Sequence, residues 1–249
     1  MFEQNTHFTN MEKVEFLLAV FFLSLRLSEV EPSLVLTNKL ISHDKLEKHL
    51  QHLTSKYPDI SRLYHIGESV KGNKLWVMEI SSNPGQHEFL EPEFKYIGNM
   101  HGDETVGRHV LLNLIEYLLS EYESDPKIRT LVDKTRIHIL CTMNPDGFEV
   151  ARKTLDHHFK DGRDNANGVD LNRDFPDPFI KPFYGDVERQ KETLLAIQWM
   201  KDYPFVLSAN FHGGAVVVNY PYDNFKMSLP FNFPLNDTRA VAPDDDVFR

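Results

Sequence analysis

The chain has 249 residues, of which 41% are hydrophobic, so it is long enough to bury one large core and does not have the composition of a disordered protein. Its 27 basic and 37 acidic residues give a net charge of −10, so there is no protein-wide positive field and we expect no nucleic-acid partner. An acidic protein can attract basic peptides, but the charge alone does not separate that role from simple solubility.

The N-terminal region contains an apolar run from Phe16 to Leu25. Its length is that of a signal-peptide core and is too short to span a membrane. We interpret residues 1–30 as a signal-peptide region; a buried helix is the alternative, because no clear small-residue cleavage site follows. A glycosylation sequon at Asn236-Asp237-Thr238 agrees with this interpretation. The sequence therefore predicts a protein of the secretory pathway or the extracellular space, and leaves membrane attachment open.

Helical and strand patterns alternate from residue 44 onward. Leucines at positions 46, 50 and 53 share one helical face, which predicts an amphipathic helix from Asp44 to Tyr57. Two β-rich runs around a Lys71-Gly72-Asn73-Lys74 turn predict a hairpin. The predicted strands cover residues 61–68, 75–81, 94–100, 136–143 and 205–211, and further helices cover residues 106–118 and 187–199. This alternation predicts an α/β domain at residues 38–249, with a largely parallel central sheet and helices on both faces.

Two further segments are irregular or isolated. Residues 144–147, Asn-Pro-Asp-Gly, predict a turn after the fourth strand, and a polar loop follows from about 152 to 182. Loops of that length in a compact domain are commonly functional. The single cysteine, Cys141, lies in an apolar run and is interpreted as a buried structural thiol, so no intrachain disulfide can form.

Three side chains suggest a metal site. His101 and Glu104 are three residues apart at a strand-to-helix junction, although an isolated pair of this kind is usually ordinary polar surface. His212 follows another predicted strand and precedes two glycines that allow a sharp turn. Since ligands gather at the carboxyl ends of strands in such sheets, the three side chains are expected to meet there. Two His and one Glu leave a fourth position for water, which is typical of hydrolytic zinc sites.

The polar loop suggests an anion site. Arg163 and Arg173 are ten positions apart in an Asn-rich segment that also contains Asn172. Guanidinium groups bind carboxylates in a bidentate fork, and Asn adds a neutral donor. The alternative is structural pairing with neighbouring aspartates. The nearby metal site favours anion recognition.

Four ordered motifs resemble the zinc metallocarboxypeptidases, close to the N/E branch that includes carboxypeptidases D, N, E and M. The similarity covers roughly residues 40–249. The motifs span Gly98 to Gly107, Asn144 to Glu149, Asn165 to Pro176, and Asn210 to Ala215 together with Asn219 to Asp223. The resemblance implies a mixed central sheet and one Zn²⁺ per chain.

The resemblance also implies roles for individual residues. The zinc ligands would be His101, Glu104 and His212, which is the same two-His, one-Glu set that carboxypeptidase A uses. Arg163 would stabilise the oxyanion of the tetrahedral intermediate. The terminal carboxylate of the substrate would bind Asn172 and Arg173. Asp223 would select C-terminal Lys or Arg, although by itself it reads as a turn residue. The implied partners are therefore the C-termini of peptides or proteins, particularly basic ones.

The sequence departs from the family in one respect. The family uses a glutamate downstream of the last zinc histidine as general base, whereas the last glutamate here is Glu192, before His212. The tyrosine that caps the substrate, also downstream, has no counterpart either. We therefore expect a C-terminally incomplete piece of an active zinc exopeptidase. The alternative is a non-catalytic module that binds peptide C-termini.

Overall fold

The computed structural model describes residues 40–154, 161–176 and 188–220. The expected signal-peptide region, the sequon and Asp223 lie outside these residues. Within the described part of the chain, no helix is both long and apolar enough to cross a membrane. In chain order the elements are α1 (His43–Lys56), β1 (Ser61–Glu68), β2 (Lys74–Ile80), β3 (Glu93–Gly98), α2 (Thr105–Glu121), α3 (Pro126–Lys134), β4 (Arg136–Leu140), α4 (Pro145–Thr154), a 3₁₀ helix (Leu171–Arg173), α5 (Lys191–Asp202) and β5 (Phe205–Phe211).

The strands form one mixed sheet in the order β1-β2-β4-β3-β5. The hairpin strand β2 joins β4 in antiparallel fashion, while β3 lies parallel to both β4 and β5. An α/β fold with a mixed sheet is therefore confirmed. Two of its described pairings are parallel and two are antiparallel, because β2 runs antiparallel to both of its neighbours, β1 and β4. The parallel part, β4-β3-β5, brings the carboxyl ends of three strands to one edge.

Helices pack on both faces of the sheet. Val77 and Met78 are adjacent on β2, so their side chains point to opposite faces. Val77 belongs to a buried cluster with Ala196 and Trp199 of α5. On the other face the Thr54 hydroxyl of α1 lies 3.7 Å from the Met78 sulfur. The sheet is thus the middle layer of a three-layer structure, as the alternation of elements predicts.

Two helices were not predicted. α3 begins at Pro126, and the Asp125 side chain caps it by accepting the N–H of Lys127 at 2.7 Å. The turn predicted at residues 144–147 is wrong, because α4 begins at Pro145. The Asn144 side chain accepts the N–H of Gly147 at 2.9 Å and acts as the cap. Proline and asparagine favour both turns and the first turn of a helix, so this local sequence fits either structure.

Candidate metal centre

Two histidines and one glutamate converge at the carboxyl ends of β3 and β5. Gly98 of β3 pairs with Phe211 of β5, so the chain leaves two neighbouring parallel strands at the same height. His101 follows β3, and His212 directly follows β5. One potential ligand atom from each of His101, Glu104 and His212 lies within 4.8 Å of the others. The structure therefore brings together all three residues that the sequence suggested as metal ligands.

The distances within the cluster are short. The Nδ1 atom of His101 lies 2.9 Å from a Glu104 carboxylate oxygen and 3.3 Å from Nδ1 of His212. The second oxygen of Glu104 lies 3.0 Å from Nδ1 of His212. The His101 side chain is only 3% exposed and that of His212 is 33% exposed. One side of the cluster is thus buried while the other remains accessible to a ligand.

Asp170 orients the buried imidazole. Its carboxylate accepts a hydrogen bond from Nε2 of His101 at 3.0 Å. Because a neutral imidazole carries one proton, this contact leaves the lone pair on Nδ1, which faces Glu104 and His212. A carboxylate on the outer nitrogen of a ligating histidine is the usual partner in zinc sites. Sequence reasoning did not single out Asp170, although its position between Arg163 and Asn172 was a usable signal.

The donor set fits a zinc ion. With its proton on Nε2, His101 presents a lone pair to a carboxylate oxygen and a second imidazole, an arrangement that a bound cation stabilises. The side-chain nitrogen of Asn210 lies 3.2 Å from Nε2 of His212. A half-turn of this amide would place its oxygen there to accept an Nε2 proton, which would leave Nδ1 free for a metal. Two imidazoles and one carboxylate form the three-ligand set of open zinc sites.

Asn99 folds the turn that separates His101 from Glu104. Its backbone has a φ of 56°, in the left-handed region that asparagine tolerates better than most residues. Its side-chain amide donates to three backbone carbonyls, those of His101, Gly102 and Glu104, at 2.9, 3.0 and 3.2 Å. The amide therefore holds the two proposed ligands on one tight turn.

Three glycines let three backbone segments meet beside this turn. Gly102 belongs to the ligand turn, Gly147 to the start of α4, and Gly162 to the polar loop. A Cβ atom on Gly102 would overlap the backbone of both Gly147 and Gly162, and a Cβ on Gly147 would overlap Gly162 in turn. Only residues without a side chain allow this approach. The carbonyl of Arg163 then accepts the N–H of Gly102 at 3.2 Å and the amide of Asn144 at 3.1 Å.

This anchoring brings Arg163 to the metal cluster. Its guanidinium donates to Asp170 at 2.9 Å and lies 3.4 Å from Glu104. The other two predicted loop residues lie on the 3₁₀ helix after Asp170. The N–H of Asn172 donates to Asp170 at 2.8 Å, and the exposed Arg173 guanidinium donates to the Asn172 carbonyl at 3.0 Å. Arg163 thus contacts the cluster directly, whereas Asn172 and Arg173 adjoin it along the loop.

Glu104 and the neighbouring Asp170 are both held in their charged form. Burial raises the pKa of Glu104, but the N–H of Gly213 and, in the absence of a metal, the protonated rings of His101 and His212 outweigh burial and bring the pKa below its ordinary value. Burial likewise raises the pKa of Asp170, and hydrogen bonds from His101 and Arg163 more than reverse this effect. An anionic Glu104 is the form that binds a cation.

Comparison with known proteins identifies the family of the chain. The profile of the zinc carboxypeptidase family matches residues 46–249. The chain is 50% identical over 204 residues to carboxypeptidase D of Homo sapiens and 48% identical over 204 residues to carboxypeptidase M of Mus musculus, matches that each cover 82% of this chain. It spans 14% and 44% of the lengths of those two relatives.

A solved structure shows the same fold. Carboxypeptidase A from Helicoverpa armigera superposes with a TM-score of 0.59 at 20% sequence identity, over 71% of this chain and 46% of that one. At this identity the likeness concerns the fold alone. The profile match, in contrast, extends over more than half of the sequence, and the chain therefore belongs to the zinc carboxypeptidase family.

Proposed function

We propose that the described residues form the metal-binding and carboxylate-binding part of a zinc-dependent exopeptidase that releases C-terminal residues from peptides or proteins. The observation that carries the proposal is the convergence of His101, Glu104 and His212 within 4.8 Å, beside an arginine. Bound zinc would supply a Lewis acid that polarises a carbonyl group and lowers the pKa of water. One metal ion per chain is expected.

Arg163 is suited to stabilise negative charge next to the metal centre. Its side chain is 37% exposed, so the guanidinium is accessible to a substrate, while its carbonyl is fixed by Gly102 and Asn144. A positioned cation near a substrate carbonyl favours the charge that develops on the carbonyl oxygen in the transition state. We assign this oxyanion-stabilising role to Arg163.

Asn172 and Arg173 are proposed to bind the terminal carboxylate of the substrate. Arg173 is exposed, and among the described residues its guanidinium uses one of its five N–H donors, on the Asn172 carbonyl, which leaves a bidentate pair for a carboxylate in this part of the chain. Only the end of a peptide offers a free carboxylate at a fixed distance from the scissile bond. A clamp of this kind therefore restricts hydrolysis to the last residue.

Selectivity for basic residues and a secretory location remain part of the proposal. The support for the first is Asp223 in the Asn219-Tyr-Pro-Tyr-Asp223 motif, since a carboxylate in a side-chain pocket would attract Lys or Arg. The support for the second is the apolar run from Phe16 to Leu25. Two relatives of this chain, carboxypeptidase D and carboxypeptidase M, are named for carboxypeptidase activity.

A second candidate function is binding of peptide C-termini without hydrolysis. The two loop arginines support it, because the guanidinium of Arg173 is exposed and that of Arg163 is 37% exposed. Such groups bind a carboxylate whether or not hydrolysis follows.

One experiment separates the two functions. The zinc-loaded chain is incubated with a peptide ending in arginine, with the same peptide as its C-terminal amide, and with both after chelation. Release of arginine that stops on chelation and returns with zinc supports the exopeptidase. Binding of the acid about tenfold or more tighter than the amide, without release, supports the binding module. Equal affinity for acid and amide, without release, would contradict both.

A further inference from the structure

A buried carboxylate lies outside the metal cluster at the start of α5. Glu192 is 0% exposed, and its two oxygens accept the N–H of Val70 at 3.0 Å and the side-chain amide of Asn165 at 3.2 Å. Within the described ranges no Lys or Arg forms a salt bridge with it. Burying a carboxylate is unfavourable unless it is well hydrogen-bonded, although the first turn of a helix favours negative charge. The position of Glu192 therefore depends on its two donors.

Asn165 is the partner that connects Glu192 to the polar loop. Its side-chain oxygen accepts the N–H groups of Asn167 and Val169 at 3.0 and 3.1 Å. Its side-chain nitrogen donates to Gln190 at 2.9 Å and to Glu192. The amide thus closes residues 165–169 into a turn and attaches that turn to α5. Every hydrogen-bonding group of the amide is used, which defines its orientation.

The closed turn lies between two residues of the metal centre. Arg163 precedes it by two positions and Asp170 follows it directly. Asp170 contacts His101 at 3.0 Å, and the Arg163 guanidinium contacts Asp170 at 2.9 Å. The shape of the turn therefore sets where these two side chains stand relative to His101 and Glu104.

The other partner of Glu192, the turn of the β1–β2 hairpin, is also held by several hydrogen bonds. Val70 lies in the turn of the β1–β2 hairpin, where the neighbouring Lys71 donates its N–H to the buried Asp146 at 3.0 Å. The Ser69 hydroxyl and the Asn73 amide bind the same carboxylate at 2.8 and 2.7 Å. Glu192 thus joins a rigid hairpin to the loop that carries Arg163 and Asp170.

We propose that Glu192 is a positioning residue of the metal centre, which acts through Asn165 to hold Asp170 against His101 and Arg163 beside Glu104. This inference rests on the proposed metal site and extends it to a residue that does not touch metal or substrate. A residue that only stabilised the core would affect unfolding without affecting metal affinity in the folded protein.

The pair can be exchanged to test the connection. In E192Q one carboxylate oxygen becomes an NH₂ group, which faces a donor at either Val70 or Asn165. In N165D a carboxylate faces the Glu192 carboxylate. The double variant N165D/E192Q restores one donor opposite one acceptor with the roles reversed, and it keeps the net charge of the natural chain. The exposed residue Glu188, just before α5, supplies the matched control E188Q.

The measurements are Co²⁺ affinity by titration of its visible absorption, and amide hydrogen exchange over residues 163–173 without metal. We expect E192Q and N165D each to weaken Co²⁺ binding about 10-fold or more, as loss of outer-shell support does, and to speed exchange in the loop. The double variant should recover most of the affinity, and E188Q should bind like the natural chain.

Three outcomes would overturn the inference. The first is unchanged Co²⁺ affinity and loop exchange in E192Q. The second is a double variant as impaired as the single variants, in binding or in folding. Third, if the natural chain binds no more Co²⁺ than H101A does, the proposed metal site fails as well. If instead the natural chain binds Co²⁺, H101A does not, and E192Q equals the natural chain, only the positioning role fails.

Discussion

Asp170 and His101 are 69 positions apart in the sequence and are joined by a 3.0 Å hydrogen bond between a carboxylate oxygen and Nε2. The bond determines which imidazole nitrogen faces Glu104 and His212. It also links the polar loop to the end of β3, since the same carboxylate accepts a hydrogen bond from Arg163. The orientation of a buried ligand and the position of the loop arginine therefore depend on one carboxylate.

Replacement of Asp170 should weaken metal binding. His101 and Arg163 donate to different oxygens of Asp170, and in D170N one of these oxygens becomes an NH₂ group that faces a donor. We expect metal affinity to fall about 10 to 100-fold, the usual effect of losing an outer carboxylate. Zinc competition with a chromophoric chelator measures this. The exposed Asp161 on the same loop gives the control D161N, and an equal loss of affinity in D170N and D161N would refute the role of Asp170.

Replacement of Gly102 by alanine should disrupt the packing beside the metal centre. The added methyl group would overlap the backbone of Gly147 and Gly162, which cannot move independently of α4 and the loop. We expect the free energy of unfolding to fall by about 4 kcal/mol or more, a loss typical of severe overlap. Gly72 has φ +83° and open space around it, so Gly72→Ala should cost only about 1 to 2 kcal/mol. Urea unfolding compares the two, and similar losses would contradict the close approach.

Replacement of Leu90 by glycine should stabilise the protein. Leu90 has a φ of 69°, a left-handed conformation unfavourable for leucine, and its side chain is 85% exposed. The strain of about 1 to 2 kcal/mol exceeds the entropic cost of glycine, roughly 0.5 to 1 kcal/mol. The neighbouring Phe89 is 91% exposed, and its φ is not in the positive range, so Phe89→Gly should not stabilise. Thermal unfolding distinguishes them, and a lower Tm for Leu90→Gly would count against the strain.

Acidification should destabilise the protein through His43. Burial lowers the pKa of His43 from its ordinary value of 6.5, and the charge of Arg108 lowers it further, although the Lys74 carbonyl partly opposes them. The unfolded chain therefore takes up a proton more readily than the folded one, and the free energy of unfolding falls as the pH drops below about 6.5. The slope continues down to the folded-state pKa.

Glutamine at position 43 tests this pH dependence. His43→Gln keeps a donor for the Lys74 carbonyl but does not titrate. Urea unfolding between pH 7.5 and 5.5 should show a shallower loss of stability in H43Q than in the natural chain. The exposed His52 on the same helix supplies H52Q, which should keep the natural slope. Parallel pH profiles for the natural chain and H43Q would show that His43 does not carry the effect.

Local periodicity was sufficient for much of the fold. The bounds of β1 and β5 are those that the β-rich runs predicted, and α1 buries the three leucines that defined its face. Amphipathic patterns predict such elements because the residues that form a buried face recur at short, regular intervals in the sequence. α3 and α4 were missed, because they begin at Asp-Pro and Asn-Pro pairs that favour turns as readily as helix starts.

The residues that support the proposed ligands were harder to predict from the sequence than the ligands themselves. His101 and His212, 111 positions apart, were expected to meet because each follows a strand of a partly parallel sheet. Asp170 and Glu192 could not be chosen in that way. Their contacts with His101 and Val70 span 69 and 122 residues, and a buried acid has no periodic signature. The role of Gly102 likewise appears only when three separate segments are seen in contact.

The central claim is that His101, Glu104 and His212 together bind one zinc ion. Native mass spectrometry of the chain, purified with zinc and dialysed, measures the stoichiometry directly. The account predicts one zinc ion per chain, and none in a variant with His101 and His212 both replaced by alanine. A natural chain without zinc, or a double variant that keeps one zinc ion, would contradict it.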